Sequence, residues 1–431
     1  MLRVLAITKI FPNAAEPLSA PFNRQQFAAL ARHCSLEVMA TIPWFPGASL
    51  VHGSSAGKLV GVPGEETIDG ITVTHPRTLF VPRLAHATWG PLYAASIARA
   101  VMRYRGRVDV VLGSWAYPDG FAAVIAARML GVPCVVKLHG SDINQIAKLP
   151  GPRKLLGWAL PRAARVVAVS RALADEVATL GVPRDKIAIV MNGVDASLFH
   201  PRDRASARVE LGLDERPLAL YVGNLKADKG VLDLAKAWER VAAQMPDARL
   251  AIVGGGPAKD ELAAAVERFG GKLGEGRARS AKDDRVLLLG PRPLAEVPLW
   301  MAAADVVTLP SHAEGTPNVV LEALASGRRV VATRVGGIPD LITRGELGAL
   351  VPPRDPDALA RALALALRTP YIPATVAALG ARGGWDASAA ALHQVLLGAA
   401  SASQPGTSWS APPSPSSETA GTRPRSASPP R

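Results

Sequence analysis

The chain has 431 residues, 48% of them hydrophobic, with a formal charge of +13 and two cysteines. That length suits two domains better than one core, two cysteines do not make a disulfide framework, and no run of about 18 uninterrupted apolar residues predicts a membrane span. The positive charge calls for anionic partners. The arginines are dispersed, however, and no zinc-finger spacing or RNA-binding signature accompanies them, so phosphate-bearing substrates and lipid headgroups are expected and nucleic acid is not.

The opening "MLRVLAITKIFP" reads as a first strand; it lacks the long apolar core and cleavage site of a signal peptide. Short, nearly continuous apolar runs then alternate with helical patterns. "RVLAIT", "LEVMAT", "VDVVLGS", "PCVVKLHG", "RVVAVS" and "KIAIVMNG" come first, followed by "LALYVGN", "RLAIVGGG", "RVLLLGP", "DVVTLPS" and "RVVATRVGG". Such alternation predicts parallel sheets covered on both faces. Eleven strands exceed one compact sheet, and the charged, proline-flanked stretch 195–217 supplies the break. The predicted fold is α/β: two facing, doubly wound, Rossmann-like parallel-sheet domains. The first domain spans 1–200 and the second 201–372, and residues 373–400 hold a last helix, with Asp386 or Ser388 near its start. Residues 401–431 form a disordered Ser/Pro-rich tail. The Gly-rich, charged stretch 270–285 predicts a loop. Cys34 and Cys134 sit in apolar runs and are expected as buried thiols in a reducing compartment.

The segment "HAEGTPNVVLEALASG" (312–327) carries the densest chemistry. The strand before it ends near Ser311, and Pro317 suits the first turn of a helix. Glu314 then lies in the loop and Glu322 about one and a half turns into the helix. Gly315 and Thr316 allow close backbone approach. The helix start offers unpaired amides and a positive dipole end, which is a diphosphate site. One carboxylate ahead of it and one behind suit the hydroxyls on either side of a diphosphate, as in a nucleotide sugar. Taken alone, the spacing also fits two glutamates that simply complement the dipole.

The surrounding segment 305–342 resembles the donor-binding region of family 4 retaining glycosyltransferases, whose GT-B fold consists of two facing Rossmann-like domains. "VVKLHGSDIN" (135–144), "VVAVSRAL" (166–173), "VMNGVDASLFHP" (190–201), "YVGNLKADKGVLDLAKAW" (221–238), "LAIVGGGP" (250–257) and "GWDASAAAL" (384–392) resemble further family motifs in the family's order. The resemblance covers roughly residues 1–398 and implies that 1–200 is the acceptor-side domain, that 201–372 binds the nucleotide sugar, and that the helix in 373–400 crosses back to the first domain. It implies catalytic roles for His139, Glu314 and Lys229: His139 beside the sugar, Glu314 on its hydroxyls, and Lys229 neutralising the departing diphosphate. It implies that Glu322 holds the ribose, and that Gly315, Thr316, Pro317, Asn318 and Val319 face the phosphates, with Gly223, Asn224 and Gly254 lining the donor pocket. Asp142 supports the His139 loop. The reaction implied is transfer of a hexosyl-type sugar from a nucleoside diphosphate donor to a saccharide or lipid-linked acceptor, with retention and by a front-face route. No metal and no cofactor are expected, since fixed cations and amides meet the developing charge. Asp355 and Asp357 read as a loop and helix cap, not a metal site. A role in cell-envelope polysaccharide or glycolipid synthesis is implied, in the cytoplasm and at the inner face of the membrane.

Two positions depart from the family pattern. Asn224 stands where an arginine is common, and the first strand-to-helix loop (11–26) offers Ala20 in place of paired glycines. "VGGGP" lacks the full dinucleotide pattern, so a tight turn is expected there. Asn192–Gly193 fits an ordinary turn, and Gly336–Gly337 fits either a turn or a close donor approach. The stretch 86–107 combines Trp89, Tyr93 and Tyr104 with Arg99, Arg103, Arg105 and Arg107; it fits a basic interfacial helix at an anionic bilayer or a packed helix with one charged face. The competing functions are a nucleotide-sugar epimerase of the same fold and a non-catalytic nucleotide-sugar or lipid-headgroup binder.

Overall fold

The computed structural model describes residues 1–45, 55–79, 86–268 and 285–402. The expected loop 270–285 falls outside these residues except for Arg285, as does the expected tail beyond Ala402.

The first domain contributes strands β1 (Arg3–Thr8), β2 (Ser35–Ala40), β3 (Ile42–Trp44), β4 (Glu65–Ile68), β5 (Ile71–Thr74), β6 (Arg77–Leu79), β7 (Val110–Ser114), β8 (Cys134–Lys137), β9 (Arg165–Ala168) and β10 (Ile187–Ile189). Its main sheet runs β10-β9-β8-β7-β1-β2-β5-β4, parallel throughout except for the β4–β5 pair. The second domain contributes β11 (Leu218–Val222), β12 (Arg249–Val253), β13 (Val286–Gly290), β14 (Val306–Leu309), β15 (Arg329–Thr333) and β16 (Gly348–Val351) in the all-parallel order β13-β12-β11-β14-β15-β16. Every residue of β7, β12 and β14 is buried, as continuous Val/Ile/Leu runs require when helices cover both faces. In each sheet the strand order reverses beside the first strand, and ligands of doubly wound sheets sit at that carboxyl-end crevice.

All eleven predicted strands are present. The β4–β5 hairpin is an addition whose signal was available: Asp69 and Gly70 take positive φ of 51° and 78° at its turn, as an Asp-Gly pair between alternating strands does. Cys34 and Cys134 are free and buried, and burial pushes the Cys34 thiol up to about 11.

The linker behaves as second-domain structure from Phe199 onward, since Phe199 and Ala207 join that domain's core. Asp203 caps the Arg204–Leu211 helix by accepting from the Ser206 amide at 2.8 Å. Arg208, 1% exposed, places its guanidinium 2.8 Å from Asp305, which also accepts the Leu218 amide at 2.7 Å.

The C-terminal region needs a correction. Residues 373–400 are not one returning element. Pro373–Gly380 is a short helix on the second domain, with Val376 in that core and Gly380 so close to Leu324 that an added Cβ would lie 2.7 Å from it. Gly383, at φ +82°, turns the chain, and the returning helix is Trp385–Ala402. Its Trp385, Leu392 and Leu396 pack with Phe27 and Leu30 of the first domain. Each such side chain adds about 1.5–3 kcal/mol of burial to the tie between domains.

Of the two readings of 86–107, the packed helix with one charged face matches the structure: the helix Trp89–Val101 exists, and Tyr93 and Tyr104 are buried in the first domain. Tyr93 bonds Thr41 at 2.9 Å and Asp119 at 3.2 Å. Arg99, Arg103, Arg105 and Arg107 remain on the exposed side. No helix among the described residues is long and apolar enough to cross a membrane.

Candidate active site

The loops after β8 and β14 meet across the crevice between the domains. Gly140, at φ +118°, faces Gly315 so tightly that an added Cβ would lie 2.5 Å from the Gly315 Cα; one on Gly315 would lie 2.1 Å from the His139 carbonyl oxygen. Two glycines therefore let two backbones touch where any other residue would hold them apart. The expected close approach at Gly315 is thus to the opposite domain. Other bonds span the same seam: Asn144 Nδ2 donates to the Glu314 carbonyl at 3.1 Å, Gln145 Nε2 to Asp228 at 3.1 Å, Asn192 Nδ2 to Asn318 Oδ1 at 2.9 Å, and the Thr316 hydroxyl to the Val169 carbonyl.

Glu314 lies in the loop after β14. Its Oε1 receives Lys229 Nζ at 2.7 Å and the Ser311 hydroxyl at 2.6 Å, and its side chain is 9% exposed. Lys229 ends a short turn of 3₁₀ helix, Ala227–Lys229. Gly230 follows at φ +67°, where a Cβ would strike the Pro310 carbonyl. That contact locks the two loops together and delivers the lysine to the glutamate.

Pro317 is the N-cap of the Asn318–Ala325 helix, one residue ahead of the expected first turn. It supplies no side-chain cap, so the first-turn amides at Asn318 and Val319 lack the partner that capping provides. Glu322 lies one turn further along. Its carboxylate has no hydrogen-bond or ion-pair partner among the described residues, and burial pushes its carboxyl up from 4.5 to about 7.

His139 follows β8. Its ring packs against Phe22, tilted at a centroid distance of 5.1 Å, and Trp115, stacked at 5.8 Å, and its Nε2 is 2.9 Å from the Ser114 hydroxyl. Burial, aided by the nearby Lys137 charge, holds the imidazole well below its usual range, so it is neutral. Asp142 supports the loop as expected: it accepts the amides of Ala116 (2.8 Å), Gly140 (2.7 Å) and His139 (3.1 Å). Lys137 is fully buried beneath this loop, in contact with Gln26 Oε1 and 3.4 Å from Asn192 Oδ1, and burial pulls its amine down to about 7. Asn192 therefore links that lysine to the start of the second-domain helix.

Gly254, at φ +147°, abuts the Gly223 carbonyl and closes the β11 and β12 ends against each other. Asn224 is exposed at the rim, and its carbonyl accepts the buried Tyr221 hydroxyl at 3.0 Å. Gly336 and Gly337 pack on the Glu314–Gly315 backbone, so they brace that loop. Ala20 takes the left-handed conformation, φ 44° and ψ 55°, at the start of the Pro21–Leu30 helix. The glycine-poor first loop thus makes a glycine-like turn with alanine. Asp355 caps its helix through the Ala358 amide at 2.9 Å, and Asp357 pairs with Arg240 at 2.7 Å.

The structure thus brings Gly315 to the His139 backbone, pairs Glu314 of the same loop with Lys229, and carries Asn318, Val319 and Glu322 on the helix that follows. Asn23, Ser114, Trp115, Asn144, Lys137 and Ser311 join the site unannounced by sequence. Only Trp115 carried a signal, as an aromatic at the end of a predicted strand; its φ of 115° turns the chain out of β7.

Two family models match the chain: one described as Glycosyltransferase Family 4 over residues 56–198, and one described as Glycosyl transferases group 1 over residues 216–369. An N-acetyl-alpha-D-glucosaminyl L-malate synthase of Bacillus anthracis is 30% identical over 60% of this chain and 66% of its own length. A putative teichuronic acid biosynthesis glycosyltransferase, TuaC of Bacillus subtilis, is 28% identical over 84% of this chain and 88% of its own. A D-inositol 3-phosphate glycosyltransferase of Frankia alni is 33% identical over 70% and 77%. Among solved structures, Anabaena HepE in complex with UDP and glucose superposes with a TM-score of 0.66 at 20% identity, covering 92% of this chain and all of that one. The two facing Rossmann-like domains are the GT-B arrangement.

Proposed function

This chain belongs to family 4 of the glycosyltransferases, and we propose that it moves a sugar from a nucleoside diphosphate sugar to an acceptor hydroxyl with retained anomeric configuration. The observation that carries the reading is the Lys229–Glu314 pair on a loop that packs against the His139 backbone and leads into an uncapped helix start. In this reading His139 and Glu314 take the sugar, Lys229 and the amides of Asn318 and Val319 take the diphosphate, and Glu322, one turn further along the helix, takes the ribose.

The chemistry follows from charge. As the sugar departs, negative charge grows on the diphosphate, and a fixed ammonium and helix-start amides stabilise it without reorganising. In this reading Lys229 and the amides meet that charge, and neither a metal nor a cofactor takes part. Glu314 is already engaged by Lys229 and Ser311, so it orients sugar hydroxyls and does not attack the anomeric carbon. A front-face route, in which the acceptor enters on the side the diphosphate leaves, fits a loop carboxylate, Glu314, that is already paired. The solved relative holding UDP and glucose supports a nucleotide-sugar donor. The relative assigned to teichuronic acid biosynthesis supports a saccharide or lipid-linked acceptor in envelope polysaccharide or glycolipid synthesis. The exposed Arg99, Arg103, Arg105 and Arg107 would bring the enzyme to an anionic bilayer on the cytoplasmic side.

A thermal-shift panel of UDP-, GDP- and ADP-sugars, on wild type and on Glu322→Ala, tests the donor. A ligand at ~100 times its dissociation constant adds about 2.7 kcal/mol of stability. The expected result is a shift with one nucleotide that disappears in the variant. No shift with any donor sinks the reading.

A further inference from the structure

Behind His139 the first domain holds a chain of buried polar side chains. Asn23, on the first turn of the Pro21–Leu30 helix, is fully buried and donates from Nδ2 to the Ile10 carbonyl at 2.8 Å. A carbonyl only accepts, so the amide nitrogen must face it and Oδ1 must point the other way. The Ser114 hydroxyl lies 3.1 Å from that Oδ1 and 2.9 Å from His139 Nε2. An amide oxygen has no proton to offer, so the one proton of Ser114 goes to Asn23. Ser114 then turns a lone pair toward His139, and that contact is a hydrogen bond only when Nε2 carries a proton. The ring is neutral, because burial and the Lys137 charge oppose a second proton. Nδ1 is therefore the bare nitrogen, and it has no partner among the described residues. Phe22 and Trp115 pack against the imidazole, at centroid distances of 5.1 and 5.8 Å, and oppose its turning over.

We propose that Asn23 and Ser114 are positioning residues that lock His139 as its Nε2–H tautomer, leaving Nδ1 to accept a hydrogen bond from a hydroxyl or amide N–H of the donor sugar. The last clause rests on the proposed reaction; the tautomer does not. The logic is that of a directed proton wire with no transfer: the Ile10 carbonyl sets Asn23, Asn23 sets Ser114, and Ser114 sets which histidine nitrogen is basic. The lock also selects substrate chemistry, since a bare nitrogen rewards a donor group and leaves a carboxylate at that position unpaired.

Two-bond ¹H–¹⁵N spectra of the full chain labelled with [¹⁵N]histidine read the tautomer directly, with His139 assigned by its loss in His139→Gln. Wild type at pH 7 is expected to show the Nε2–H pattern. In Asn23→Leu, Ser114 is free to give its proton to Nε2, and a mixed or Nδ1–H pattern is expected. An Nδ1–H or doubly protonated pattern in wild type overturns the proposal. An unchanged pattern in folded Asn23→Leu overturns the part given to Asn23; should that variant fail to fold, Ser114→Ala, which removes the acceptor for Nε2–H, must release the tautomer instead. In transfer assays the released tautomer should lower kcat about 10–100-fold, with KM for the nucleotide sugar little changed, the usual scale for loss of an outer partner that orients a histidine. A changed tautomer with undiminished transfer overturns the functional clause. No transfer by wild type, with the Nε2–H pattern in place, removes the proposed reaction and leaves the lock standing.

Discussion

Lys229 and Glu314, 85 residues apart in sequence, form an ion pair of 2.7 Å at the mouth of the crevice between the two domains. Each holds the other where it is wanted. In the proposed reaction the ammonium would turn to the diphosphate, while the Ser311 hydroxyl at 2.6 Å would still hold Glu314 toward the sugar hydroxyls. Lys229→Ala should lower kcat about 10²–10³-fold, the scale for removing one preorganised donor to developing charge. Glu314→Gln should instead raise affinity for free nucleoside diphosphate, because Lys229 loses its internal partner. Steady-state transfer and calorimetric titration of the two variants check both signs.

Glu322 predicts a pH dependence of folding. Burial raises its folded carboxyl from 4.5 to about 7. Below 4.5 both folded and unfolded forms are protonated and nothing is lost. Between 4.5 and about 7 the folded form keeps a proton that the unfolded form has released, so stability falls as pH rises through that window. It then stays lower by up to about 3 kcal/mol. Urea melts of wild type and Glu322→Gln at pH 4.5 and pH 8 should show the variant more stable than wild type only at the higher pH. Equal differences at both would show that the carboxylate is solvated.

The Gly140–Gly315 contact predicts a mutation that separates folding from closure. Gly315→Ala places a methyl 2.1 Å from the His139 carbonyl oxygen, and a rigid backbone atom cannot yield to it. The loop lies between the domains and not in either core, so each domain should fold as before. Small-angle scattering should show a larger radius of gyration, melting should change little, and transfer should be strongly reduced. Wild-type scattering from the variant would show that the loops part without opening the crevice.

The Arg208–Asp305 pair predicts a stability effect far from the crevice. Arg208 is buried, and Asp305 takes its guanidinium, the Arg204 guanidinium and the Leu218 amide. Arg208→Leu leaves Asp305 with its remaining partners, whereas Asp305→Leu takes the acceptor from two guanidiniums and from the buried Leu218 amide at once, leaving Arg208 only the Ala303 carbonyl at 3.0 Å and the exposed Glu215 at 3.2 Å. Removing one partner of a buried pair typically costs about 3–5 kcal/mol. Denaturant melts should therefore place Asp305→Leu well below Arg208→Leu, with nucleotide binding unaffected in both.

Eleven of the sixteen strands among the described residues and the two-domain division were legible in local pattern, whereas His139 and Lys229 came from the resemblance to family 4. Short continuous Val/Ile/Leu runs alternating with helical patterns read as buried parallel strands, and a proline ahead of "NVVLEALASG" favours a helix start there. These are short-range rules, and they reached Glu314 in its loop and Glu322 in its helix. What the tertiary structure decided was how groups from distant segments face one another. The helix 373–380 stayed on the second domain because Gly380 fits against Leu324, a contact that no periodicity encodes. Tyr93 and Tyr104 turned inward because Thr41, Asp119 and the first core lay there to receive them. The line from Ile10 through Asn23 and Ser114 to His139 crosses four segments, and each is unremarkable alone. Local pattern fixes which face of an element is apolar; only the assembled sheets fix which polar groups are left within 3 Å of each other, and the direction of a proton depends on that distance.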